Sequence, residues 1–239
     1  MIRQHLTAQA SGEKHFQWRG ADITRLEHFS DAVFAFAVTL LVVSLEVPKS
    51  FTELMAALRG LVAFGACFAM LMVVWVYHCQ FFRRYGLQGA WITLLNSVLL
   101  FCVLFYVYPL KFLAFAMFAG TQPTSAHDFR MIVIVYGSGY AAVFVTFALM
   151  YLHAWGKRKQ LALSEMESLR TRHILINHIA IACIGCCSVA LAVVLPERLV
   201  SVAGYFYFVI LVYFIVSGVI FRRHRRRVSA GMTTHELPV

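Results

Sequence analysis

The chain has 239 residues, 61% of them hydrophobic and only 13% charged, with a mean hydropathy of +0.74. An ordinary soluble domain runs near ~45–50% apolar and ~25% charged, so that class is excluded. The net charge of +10 would suit nucleic acid, but the basic residues occupy the gaps between apolar runs, where they report membrane topology, and no nucleic-acid partner is expected.

Residues 1–20 are polar and contain no apolar h-region, so no cleavable signal peptide is expected. Six apolar segments follow at about 28–47, 55–82, 90–110, 129–155, 173–195 and 199–221. Each is long enough to cross ~30 Å of hydrocarbon as a helix. Pro48 ends the first, Gly86 and Gly89 separate the second from the third, and Pro196 separates the fifth from the sixth. The third leaves Phe112–Phe118 over, as a longer helix bent at Pro109 or as an interfacial tail. The expected architecture is all-α: an N-terminal segment 1–27, a six-helix transmembrane domain 28–221 and a basic tail 222–239. Six cysteines all lie in apolar segments, which predicts small buried residues and no disulfide framework.

Charge asymmetry predicts the orientation. With both termini cytoplasmic, all but five of the 21 basic residues (Lys49, Arg59, Lys111, Arg130 and Arg198) fall on the inner side. The Arg222–Arg227 run reads as a stop-transfer anchor that also suits anionic lipid.

Within this plan one stretch stands out. Arg25-Leu-Glu-His-Phe-Ser-Asp31 is polar and passes directly into the apolar run from Ala32 to Val43. Asp31 lies about one turn inside the inner end of the first segment, His78 about one turn inside that of the second, and Asn96 roughly two turns inside the third. The three share a depth to within ~5–10 Å along the membrane normal. Trp75 shares a helix face with His78. Polar groups in a bilayer pair with one another, which predicts a hydrogen-bonded knot of Arg25, Ser30, Asp31, His78 and Asn96. It reads as a structural staple or as a proton relay, and spacing favours the staple.

Beyond the knot, Phe29, Val33, Phe36, Leu40, Val43 and Val47 recur at steps of three or four and form one apolar face, with Thr39 beside it. Such a stripe packs, meets lipid or, if the helix is central to an oligomer, narrows a pore. Small residues at Gly137, Gly139 and Ala141 in the fourth segment, and at Ala182, Cys186 and Ala190 in the fifth, predict close helix contact. Cys183-Ile-Gly-Cys186-Cys187 has near-metal spacing without a second ligand cluster, so no metal site is expected. No phosphate loop, Ser-His-Asp set or catalytic carboxylate pair stands out, and neither a cofactor nor enzymatic chemistry is expected.

Arg25-x-x-x-Phe29-Ser30-Asp31 followed by Ala35-x-Ala37-x-Thr39-Leu40-Leu41-Val42, with Trp75-x-x-His78 and Asn96, resembles the signature of the transmembrane protein 175 family of potassium-permeable channels. The resemblance implies a homotetramer in a prokaryotic plasma membrane, with the first helix lining the pore and the polar residues holding it in place. It also implies monovalent cations, potassium preferred, passing a constriction at Phe36, with Leu40 and Val43 above it and Thr39 beside it. Phe36 departs from the aliphatic residue usual at the innermost position. Two rival readings remain open: a proton leak through Asp31 and His78, and a non-conducting membrane sensor or scaffold.

Overall fold

A computed structural model describes residues 16–20, 22–43, 49–51, 54–55, 58, 60–118 and 125–235. The described residues form helices and connecting turns, with no strand among them. The helices are α1 (Arg25–Val43), α2 (Leu61–Tyr85), α3 (Ala90–Phe118), α4 (Ala126–Gly156), α5 (Glu165–Val194), α6 (Val200–Tyr205) and α7 (Val209–His235). Two 3₁₀ turns, Glu197–Leu199 and Phe206–Phe208, flank α6 and make the stretch from Glu197 onward one kinked rod. Five of these units, α2 to α5 and the Glu197–Arg223 rod, are long and apolar enough to cross a membrane.

The helix ends follow local chemistry. At the start of α1 the Thr24 hydroxyl accepts from the Glu27 amide (3.2 Å), and the Glu27 carboxylate accepts from the Thr24 amide (2.8 Å). This reciprocal capping satisfies two backbone donors at the helix start. Ser164 and Glu167 form the same box at α5. α2 stops at Gly86, whose positive φ of 56° lets its amide return to the Phe82 carbonyl at 2.8 Å.

Two expectations from hydropathy shift. α5 begins at Glu165, well before the expected 173, because its first turns are amphipathic and only its capping box marks the start. The last helix does not stop at Arg222 but continues to His235. The open choice at Phe112–Phe118 resolves as a long helix, since α3 runs through Pro109 to Phe118.

α1 lies against α2 and α3, α4 packs between α3 and α5, and the Glu197–His235 rod packs mainly on α5. The largest core unites α1, α2, α3 and the facing parts of α4 and α5 around Phe81, Phe147, Tyr151 and Leu99. The expected small face of α4 is used twice over, while on α5 the expected Cys186 and Ala190 are exposed. A Cβ on Gly137 would stand 2.5 Å from Val189 Cγ2 on α5, and one on Gly139 would stand 2.4 Å from the Tyr106 ring on α3. α4 thus approaches both neighbours through glycine.

Candidate functional site

The site is built where α1 crosses α2 and α3. Ser30, Asn96 and His78 are buried, at 0%, 0% and 1% exposure. The Asn96 amide Nδ2 donates to Ser30 Oγ (2.9 Å), and Ser30 Oγ donates in turn to the Leu26 carbonyl (2.7 Å). Asn96 Oδ1 lies 2.8 Å from His78 Nε2. An amide oxygen only accepts, so His78 carries its proton on Nε2 and donates it. The bonds therefore run in one direction, from His78 to Asn96 to Ser30, and end on a backbone carbonyl. The His78 ring packs beside Phe34 on α1 (5.6 Å between centroids) and Phe82 on its own helix (4.8 Å).

Asp31 belongs to a second, separate contact. Its Oδ1 accepts from Trp75 Nε1 at 2.8 Å, and among the described residues no hydrogen bond joins Asp31 to His78. Arg25 stands apart from both: it is exposed at the first turn of α1 and, among the described residues, hydrogen-bonds neither set. The expected knot is thus two parallel clasps, Ser30–Asn96–His78 and Asp31–Trp75, which together fix the inner turns of α1 to α2 and α3.

This clasping sets which face of α1 turns inward. Ser30, Phe34, Ala37 and Leu41 are buried, at steps of three and four. The opposite face exposes Phe29, Ala32, Ala35, Phe36, Thr39 and Val42, with Phe29 at 61% and Phe36 at 55%. Val33 and Leu40, expected on the outward stripe, sit at its border and pack partly against the core. The Thr39 hydroxyl donates to the Ala35 carbonyl (2.9 Å), so it is satisfied within its own helix while the side chain stays exposed. Val43 closes α1, its side chain outside the described residues; Val47 also lies outside them.

Two further supports have no counterpart in the expected set. The segment Phe16–Gly20 runs across the same end of the bundle. Arg19 grips Glu167 through two nitrogens (2.9 and 3.0 Å) and the Leu161 carbonyl through Nε (2.7 Å), while the Gln17 amide donates to Glu167 (2.7 Å). Gly20 donates to the Arg83 carbonyl at 3.1 Å, where only a residue without Cβ fits beside Phe82 O. The Ser-x-x-Glu pattern at Ser164 was the available signal for this anchor. On the far side, Asn177 Oδ1 accepts from Tyr213 (2.9 Å) and Ser217 (2.8 Å), tying α7 to α5.

Fold and site together define an all-helical membrane protein whose first helix is clasped by buried polar contacts and presents an apolar face away from its own bundle. Residues 25–106, which hold α1, both clasps and most of α3, match the family model described as endosomal/lysosomal potassium channel TMEM175. A protein named potassium channel from Marivirga tractuosa is 36% identical over 230 residues, covering 89% of this chain and 93% of the relative. Another from Chamaesiphon minutus is 29% identical over 139 residues, covering 55% of this chain and 63% of the relative. The crystal structure of a threonine-to-alanine variant of the potassium channel MtTMEM175, in complex with a nanobody fusion, superposes with a TM-score of 0.77 at 35% identity, over 87% of this chain and 97% of that one. That of a lysosomal potassium-selective channel TMEM175 homolog from Chamaesiphon minutus gives 0.56 at 25% identity, over 80% and 95%. The chain belongs to the TMEM175 family.

Proposed function

We propose that the protein is a potassium-permeable cation channel, a homotetramer of six-span protomers in a prokaryotic plasma membrane, with both termini cytoplasmic and α1 lining the pore. The observation that carries this reading is the outward face of α1, where Phe36 is 55% exposed on a helix locked from behind by its two clasps. A helix held this firmly, with bulky apolar side chains turned from its own core, is suited to meeting copies of itself around an axis. The relatives named potassium channels supply the ion. In this reading Phe36 forms the narrow point, Thr39 lies beside it, and Leu40 and Val43 continue the constriction. A dry, narrow passage discriminates by what each ion loses on shedding water. Arg25 and Phe29, exposed at the base of α1, belong to the pore entrance or to the contact between protomers. No cofactor takes part.

The geometry weighs against the proton-leak reading. Asp31 and His78 belong to separate clasps, and the chain from His78 ends on the Leu26 carbonyl, which passes no proton onward. Purified protein in liposomes tests the choice. Potassium flux above sodium flux, insensitive to an imposed pH gradient, is expected. Proton flux alone would support the leak, and silent vesicles holding intact tetramers would support the scaffold.

A further inference from the structure

Away from the clasps, a cavity of about 420 Å³ lies between α2, α4, α5 and α7, near the end of the bundle where α2 stops and α5 begins. Arg84, Arg170, His173, His178, Gln80 and Asn177 contribute to its walls, and no carboxylate is among the described residues lining it. A second cavity of about 330 Å³ adjoins it and shares Tyr77, Ile181 and Phe214. Its further walls are nearly all apolar, with Met70, Val73, Val74, Val143 and Phe144 among them. A cationic chamber thus lies beside an oily one, both within the size range of small-ligand sites.

Among the residues that line the cationic chamber, His178 keeps a ring nitrogen that no described residue partners. His178 is 5% exposed, and its Nδ1 stands 2.8 Å from the Ile174 carbonyl. A carbonyl can only accept, so Nδ1 carries the proton and Nε2 is left as an acceptor. Nε2 has no hydrogen-bond partner among the described residues. The ring is held by Tyr151, stacked at 5.0 Å. α5 is fixed to α7 at the same chamber: His173 stacks on Phe221 at 4.2 Å, and Asn177 holds Tyr213 and Ser217. A guanidinium has five N–H donors, so Arg84 and Arg170 can each keep a protein neighbour and still present donors to the chamber.

We propose that the two cavities form a binding site for one anionic phospholipid, with its phosphate between Arg84 and Arg170 and an acyl chain in the apolar chamber. With two arginines and no carboxylate among the described lining residues, the chamber favours a headgroup of net negative charge, as in phosphatidylglycerol, over a zwitterionic one such as phosphatidylcholine. Basic pockets between membrane helices near one face of the bilayer suit anionic headgroups, and arginine grips phosphate through paired donors. The site lies on the α5–α7 side of the protomer and does not depend on the pore assignment.

Native mass spectrometry of the full-length oligomer tests this, with added phosphatidylglycerol, phosphatidylcholine of the same chains, or glycerol phosphate. One phosphatidylglycerol retained per protomer, at about tenfold lower concentration than phosphatidylcholine, is the expected result. Arg170→Gln should erase that preference. Val73→Trp, at a position 49% exposed and therefore tolerant, should lower retention of both lipids by filling the apolar chamber. Equal retention of the two lipids by the wild type, or phosphatidylglycerol retention unchanged in both variants, would overturn the proposal. Displacement of the lipid by glycerol phosphate alone would overturn it too, by assigning the chamber to a soluble anion.

Discussion

Asn96→Leu removes the middle of the longer clasp while conserving the branched heavy-atom skeleton of the side chain. Two buried hydrogen bonds disappear, at 2.8 and 2.9 Å. In membrane proteins such interhelical bonds contribute ~0.6–1.7 kcal/mol each. The larger effect is on what remains. The His78 Nε2–H is left fully buried beside Phe34 and Phe82 without an acceptor, which costs about 1–3 kcal/mol. Ser30 still donates to Leu26 and adds no further penalty. The sum is about 2–6 kcal/mol, or roughly 5–25 °C in melting temperature for a chain of this length. Thermal unfolding of detergent-purified protein, followed by loss of the oligomer peak on size exclusion, measures it. In a double-mutant cycle, Ser30→Ala paired with Asn96→Leu should show a coupling of about 1 kcal/mol. A melting temperature within 2 °C of wild type for Asn96→Leu would refute the claim that this clasp holds α1.

Trp75→Phe should lower stability by about 1–2 kcal/mol by stranding the half-buried Asp31 carboxylate, whereas Asp31→Asn, which still accepts from Trp75 Nε1, should cost less than half as much in the same melt. Gly20→Ala should destabilise by about 1–3 kcal/mol, because its Cβ would stand 2.5 Å from the backbone oxygen of Phe82, and limited proteolysis should then cut the 16–20 segment faster. Glu167→Gln should cost about 3 kcal/mol by leaving Arg19 with half its grip at a site where the carboxylate side chain is 5% exposed, read as a fall in melting temperature of roughly 6–12 °C.

Much of the site was legible in the sequence because depth in a bilayer can be counted. Distance from each helix end placed Asp31, His78 and Asn96 at one level, and His78 and Asn96 do meet there, but it is Ser30, beside Asp31, that completes their chain. Counting depth says nothing about azimuth. Trp75 and His78 share a face of α2, yet they reach different partners, and that divided the expected knot in two. Arg25 was grouped with the knot by proximity in sequence, but it occupies the first turn of a capped helix and turns outward. The small face of α4 was readable because glycine has few other uses in a membrane helix, whereas α5 makes its close approach at Gly185 and leaves the expected Cys186 and Ala190 exposed. The Phe16–Gly20 strap and the Asn177 tie were not readable, since each joins short polar segments whose partners lie far away in sequence. Hydropathy misplaced the start of α5 for a related reason: its polar first turns carry the anchor for Arg19.

The central claim is that α1 lines the conduction path with Phe36 at its narrow point. Potassium and sodium flux into liposomes, compared for wild type, Phe36→Ala and the control Val193→Ala on the exposed surface of α5, tests it most directly. The account predicts a larger flux and a lower potassium-to-sodium ratio for Phe36→Ala, with Val193→Ala matching wild type. Unchanged flux and unchanged ratio in Phe36→Ala would contradict it.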